Sequence, residues 1–186
     1  VAMVGSYVMG NLYKDFSKIN FVNTFNGHSD YYQGDYDTLI VASDWLNNSK
    51  QNVLAIHFSG PDKVGHTWGA DSPEYDEKLT HVDQQVSKLL DLIPEEWSVV
   101  ITADHGMTEM GTHGSSEDVT RDVAAIISGP QIIPKSESAG HQRDLSAIVP
   151  LILELPFPVQ LHGRIPIEIF DYSSHCLLYT SPSPRD

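Results

Sequence analysis

Val53-Leu54-Ala55-Ile56-His57-Phe58, followed at once by Ser59-Gly60-Pro61-Asp62-Lys63-Val64-Gly65-His66, is the stretch on which the fold turns. The first part is a short apolar run closed by glycine and proline, the form taken by a strand buried in a parallel sheet. The same form recurs at Val99 to Ala103, closed by Asp104, and at Val123 to Ile127, while Ala2-Met3-Val4 reads as a further short strand. Between these runs the apolar spacing changes to steps of three and four. After Asp71-Ser72, Pro73 stands at a first helical turn, and Tyr75, Leu79, Val82, Val86, Leu89, Leu90 and Ile93 form one stripe before Pro94 stops it. Leu39, Ile40, Trp45 and Leu46 indicate an earlier helix, and Leu145, Ile148, Val149, Ile152 and Leu155 a later one opened by Asp144. Strands alternating with helices predict an α/β fold with a largely parallel sheet flanked by helices. Sites in such sheets lie beyond the carboxyl ends of the strands, so the polar residues that follow each apolar run become candidates.

Composition narrows the possibilities. The chain has 186 residues, with 11 Lys and Arg against 25 Asp and Glu, giving a formal charge of −14. That balance argues against a nucleic-acid partner, since phosphate backbones are bound by clustered cations. An acidic chain can still handle phosphate when bound dications supply the positive charge. No run approaches the ~18 apolar residues of a membrane span. The opening at Val1 reads as an interior point of a longer protein. Residues 1–175 are expected to form one partial catalytic domain, and residues 176–186, from Cys176 to Asp186, resemble a sequencing-adapter translation without function. Setting that tail aside removes the only cysteine, so cysteine usage says nothing about redox compartment.

Two strand ends present Asp and His together: Asp62 and His66 after the first, Asp104 and His105 after the second, with His113 following between Thr112 and Gly114. Carboxylate oxygens and imidazole nitrogens without thiolates suit zinc or manganese. Two such ions about 3.5–4 Å apart can clamp the attacking and leaving oxygens of an in-line phosphoryl displacement. A lone Asp-His-Gly is a weak signal, because both residues are common in turns; the ordered pair of motifs after two strands is a strong one.

The stretch His57 to Gly69, the helix after it and Ala103 to Gly114 resemble the catalytic domain of the GPI ethanolamine phosphate transferases, within the alkaline phosphatase superfamily and near the type I phosphodiesterases. Weaker similarity runs from Gln142-Arg143-Asp144-Leu145 to Pro156-Phe157-Pro158. The resemblance implies an alkaline phosphatase-like fold whose N-terminal strand precedes Val1. It implies two divalent ions, zinc or alternatively manganese, with Asp62, His66 and His113 on one and Asp104 and His105 on the other. It implies a metal-activated Thr or Ser hydroxyl, upstream of Val1, that attacks a phosphodiester and forms a covalent phospho-enzyme. The donor would be a phospholipid, phosphatidylethanolamine, and the acceptor a GPI glycolipid mannose. The domain would lie in the lumen of the endoplasmic reticulum, with membrane segments outside this chain. Nucleotide pyrophosphatases of the same superfamily take their third histidine from far downstream, which leaves His162 as an alternative to His113. A phosphodiesterase using water and a non-catalytic metal-binding lumenal domain are the competing readings.

Other polar residues receive plainer expectations. Lys63 is a candidate contact for a substrate phosphate, or an exposed loop lysine. His57 is expected to be a hydrogen-bonded core residue and His81 to face solvent, while His28, His141 and His175 carry no partner pattern. Ser6, Thr24, Ser59 and Ser115 read as cap, loop or turn hydroxyls. Asn47-Asn48-Ser49 is an N-glycosylation sequon.

Overall fold

The computed structural model describes residues 1–13, 15, 18–25, 30–48 and 50–171. His28, Ser49, His175 and the tail 176–186 lie outside the described residues. The chain divides into two compact units: Val1–Ile93 with His105–Asp122, and Pro94–Asp104 with the segment from Val123 onward.

The first unit is built on a parallel sheet of order β2-β1-β3. Strand β1 (Ala2–Ser6) is buried at all five positions, as expected of a central strand covered on both faces. Helix α1 (Tyr7–Tyr13) leads from it towards β2 (Asn20–Phe25), and α2 (Gln33–Asn48) towards β3 (Leu54–Ile56). Val4 pairs with Val22 on one side and Ile56 on the other. Leu39 and Ala42 of α2 pack with Val4 and Leu89, joined by Val22, Ile56 and Phe58, so α2 and the end of α4 cover the sheet, while Ile40, Leu79 and Leu90 of the expected stripes are exposed. The unit continues through α3 (Gly60–Trp68), α4 (Pro73–Leu90) and the short α5 (Asp118–Arg121). This is the expected α/β arrangement of a parallel sheet flanked by helices. Helix α4 carries its own start signal, because Ser72 Oγ accepts from the Tyr75 amide at 3.2 Å, Pro73 fills the first turn, and Glu74 and Asp76 sit where the helix dipole favours anions. It ends at Leu90, short of the Ile93 that the periodicity suggests.

The second unit departs from expectation in strand direction. Strands β4 (Val99–Thr102) and β5 (Ala125–Ser128) pair antiparallel, Val99 with Ser128 and Thr102 with Ala125, whereas both runs had the form of parallel strands. Nor is the burial expected of the run from Val123 met, since β5 is exposed at three of its four positions and Ile126 is 62% exposed; an uninterrupted apolar run fixes neither direction nor burial. Helix α6 (Leu145–Ile152) packs Ile148 and Leu151 against Ile169 and Phe170, with Ile127 and Ile132 beside them. Asp144 precedes α6 as expected, but the helix stops before Leu155. No helix among the described residues is long and apolar enough to cross a membrane.

Candidate metal centre

Glycines 60 and 65 with Pro61 make Ser59 to His66 read as a loop, yet Gly60–Trp68 is helix α3. Pro61 falls in the first turn, where a missing amide costs nothing, and Val64, 1% exposed, anchors the inner face. The helix converts a spacing of four into proximity, so Asp62 and His66 share one face. Asp62 Oδ1 stands 3.3 Å from His66 Nε2.

The other histidines arrive on the segment from His105 to Gly114, which folds as a tight turn. Thr108 N donates to Thr112 O at 2.9 Å and Gly111 N to Thr108 O at 2.9 Å, while Gly106 N donates to Thr120 O at 3.0 Å. Met107 is buried against Gly65, and Ala70 N donates to Thr108 O at 3.3 Å. The turn is thereby laid along α3, and His113 Nε2 comes within 3.1 Å of His66 Nε2 and 3.5 Å of Asp62 Oδ1. His105 Nε2 lies 4.0 Å from the same oxygen, its ring stacked on His113 with centroids 3.8 Å apart.

The donor set fits a cation. Asp62 Oδ1 is buried and accepts no hydrogen bond among the described residues, although three imidazole nitrogens surround it. An uncompensated buried carboxylate oxygen is costly. His66 Nδ1 stands 2.7 Å from Gly111 O, and His105 Nδ1 2.9 Å from Gly106 O. A carbonyl only accepts, so both Nδ1 atoms carry a proton, which in the neutral ring leaves the Nε2 lone pair facing Asp62, the tautomer that metal-binding histidines are commonly fixed in. Asp62, His105 and His113 each offer a ligand atom, all within 4.8 Å of one another, a group that could hold a metal ion. Beside them, burial and secondarily the Asp62 charge push the Tyr75 phenol above its ordinary range.

The expected second pair is distributed differently. His105 joins Asp62 and His113, whereas Asp104 is exposed and belongs to the second unit, where Gln142 Nε2 donates to the Ala103 and Asp104 carbonyls at 2.8 and 2.7 Å. His162, the alternative third ligand, also lies in the second unit, lining an open cavity of about 400 Å³ with His141, Arg143 and Arg164. Lys63 is on α3 rather than in a loop, and its Nζ donates to Asp62 Oδ2 at 3.1 Å. Ser6 Oγ and Ser115 Oγ accept from the amides of Val8 and Glu117, as cap and turn hydroxyls do. Ser59 makes no side-chain cap.

Two histidine expectations need correcting. The His57 amide donates to Val4 O at 2.9 Å, but its buried Nδ1 has no partner among the described residues. His81 is half-buried rather than solvent-facing, edge-on to the Tyr32 ring at 4.8 Å. The charge pattern also concealed a buried ion pair between Asp35 on α2 and Lys78 on α4, 1% and 0% exposed. Charges on helices read as solvated, and only Lys78's place three residues after Tyr75 and four before Val82 hinted otherwise.

A family model described as type I phosphodiesterase / nucleotide pyrophosphatase matches residues 3–130. The chain is 29% identical over 164 residues to the catalytic subunit of GPI ethanolamine phosphate transferase 3 of Mus musculus, a match covering 86% of the chain and 15% of that protein. It is 29% identical over 160 residues to the Homo sapiens protein of the same description, covering 83% of the chain and 15% of that protein. It is 31% identical over 157 residues to GPI ethanolamine phosphate transferase 1 of Schizosaccharomyces pombe, covering 70% and 17%. The chain therefore spans roughly a sixth of the length of the curated relatives it matches.

Proposed function

The chain belongs to the type I phosphodiesterase / nucleotide pyrophosphatase family, and we propose from that premise that it forms part of a metal-dependent phosphoryl-transfer centre that moves phosphoethanolamine from a phospholipid to a GPI-anchor mannose. The observation that carries this reading is the convergence of Asp62 Oδ1 with the Nε2 atoms of His66, His113 and His105. The substrate part is supported by the names of the relatives, which are GPI ethanolamine phosphate transferases.

In this reading Asp62, His66 and His113 hold one divalent ion, and His105, stacked on His113, contributes to a second. Zinc suits the oxygen and nitrogen donors, and manganese is the alternative. Bound dications supply Lewis acidity and neutralise charge that develops on the phosphoryl oxygens. The chain's own contribution is orientation: the Gly111 and Gly106 carbonyls hold His66 and His105 in the tautomer that binds metal, and Lys63, next to Asp62, meets a substrate phosphate. The attacking Thr or Ser is assigned to the part of the relatives' length that this chain does not span. Residues 1–175 then form part of one alkaline phosphatase-like catalytic domain, and residues 176–186 take no part in it. The natural setting is the lumenal face of the endoplasmic reticulum membrane.

The family's description as a phosphodiesterase favours a second reading, in which water replaces the mannose hydroxyl as acceptor. Both are tested with the full-length protein in membranes supplied with labelled phosphatidylethanolamine and a GPI precursor. Label on the precursor, abolished by chelation and by Asp62→Ala, supports transfer. Release of free phosphoethanolamine alone supports hydrolysis, and label transfer that survives both treatments would overturn the metal-dependent reading.

A further inference from the structure

We propose that Asp35 and Lys78 are positioning residues that fix the first turn of α3, and through it the ligand pair Asp62 and His66; this rests on the reading of Asp62 and His66 as metal ligands. Helix α3 has no side-chain cap of its own, because Ser59 at its N-cap makes no such bond. The missing acceptor comes from another helix: the Gly60 amide donates to Asp35 Oδ1 at 3.1 Å. The other oxygen, Asp35 Oδ2, is ion-paired at 2.6 Å with Lys78 Nζ, which donates its hydrogen bond to Tyr31 O at 2.6 Å and sits 4.2 Å over the Tyr32 ring. One point thus ties the start of α3 to α2 and α4, two residues before Asp62. The fit is close, since a β-carbon at Gly60 would lie 2.1 Å from Asp35 Oδ2 and 2.3 Å from Lys78 Cε.

A buried ion pair is a poor source of net stability, because desolvation offsets most of the attraction; what it does well is fix one arrangement. Here the carboxylate does what a first-turn acceptor does for a free amide, with a charge sign favoured at a helix N-terminus. The lysine makes that carboxylate tolerable in a site without water access. Rotating or sliding α3 would break the Gly60 contact, and would carry Asp62 and His66 away from His113 at the same time. The pair therefore acts on the metal through helix placement and touches neither ion nor substrate.

The test compares full-length wild type with D35A, D35L/K78M and L39A, the last a core substitution on the same helix that leaves the Gly60 contact in place. Zinc affinity by competition with a chelating dye, and hydrogen exchange of the peptide containing residues 60–66, are measured below each variant's melting temperature. D35A should weaken zinc binding about tenfold or more, the scale seen when a residue that orients a ligand is lost, and should lose exchange protection at residues 60–66. L39A should change neither when corrected for its lower stability. The double variant replaces both charged side chains with apolar ones of similar shape and leaves no acceptor for the Gly60 amide, so it keeps the proposal testable if D35A does not fold, and should show the same loss. Wild-type zinc affinity and exchange protection in either folded Asp35 variant would overturn the proposal. If wild type binds no zinc, the metal reading fails, and exchange at residues 60–66 in the double variant still decides whether the pair holds the helix.

Discussion

Gly111 rests on the backbone of Gly65: a β-carbon at 111 would lie 2.3 Å from the Gly65 carbonyl oxygen, and Gly111 has a φ of 72°. Two demands meet at one residue, a left-handed backbone and a close approach, and glycine satisfies both. Gly111→Ala should cost about 1–3 kcal/mol from the left-handed conformation alone, and the clash should also lift the turn carrying His113 from α3. Gly114, at φ 82° with no described residue within 4 Å of its missing β-carbon, supplies the control. Thermal melts should show both alanine variants destabilised, while zinc titration shows the larger loss of affinity in G111A. Equal affinities would separate the Gly65 contact from the metal site.

Metal content should sort the ligands. After dialysis against zinc and measurement by inductively coupled plasma mass spectrometry, Asp62→Ala, His66→Ala and His113→Ala should each lower bound zinc, and His162→Ala should leave it unchanged. A normal content in H113A with a loss in H162A would transfer the third ligand to the second unit. Acidification should release zinc from wild type, because imidazole and carboxylate bind only when deprotonated.

His81 gives a pH dependence of stability in the first unit. Its imidazole is held below the usual value, first by burial and then by Lys78. A base whose pKa is lower folded than unfolded is bound to fewer protons in the native state, so its contribution is complete above about pH 6.5 and is lost as pH falls through the depressed value. His81→Gln should flatten the decline of melting temperature below pH 6.5 relative to wild type. An unchanged slope would show that this imidazole titrates alike in both states.

Asp144 should dominate the second unit in the same kind of measurement. Burial works to raise its carboxyl, but the amides of His141 and Arg164, donating at 2.8 and 2.7 Å, outweigh burial and hold it below the ordinary carboxylate range. Its contribution is present above about pH 4 and fades as pH falls through the lowered value. Asp144→Ala leaves two amides without their acceptor and should cost about 1–3 kcal/mol near neutral pH. Denaturant unfolding at pH 7 and pH 3 should show the difference from wild type shrinking at the lower pH.

The sequence was most legible where periodicity and punctuation agreed. Helix α4 has both an apolar stripe and a Ser72-Pro73 start, and its position follows from them. Helix α3 was hidden because its glycines look like loop residues, whereas Gly65 is small to admit Met107 and Gly111, a tertiary requirement that no local pattern carries. The antiparallel pairing of β4 and β5 was equally invisible, since a fully apolar strand has no face from which to read direction. At the candidate site the residue types were readable from chemistry, but the grouping of His105 with Asp62 and His113 depends on how the turn folds back along α3. Asp35 and Lys78 could not be paired from 43 residues' separation, because a charge that will be buried looks like any other.

The helical setting of Asp62 and His66 bears on how this segment can change over evolutionary time. Each residue advances a helix by about 100°, so a single insertion or deletion between the two would swing His66 a quarter-turn or more off the shared face. Replacing Lys63 alters a neighbouring charge and leaves the phase intact. Length between the ligands is therefore far less negotiable than identity, and frame-preserving indels in this gene should accumulate on either side of α3 while sparing the four-residue step inside it.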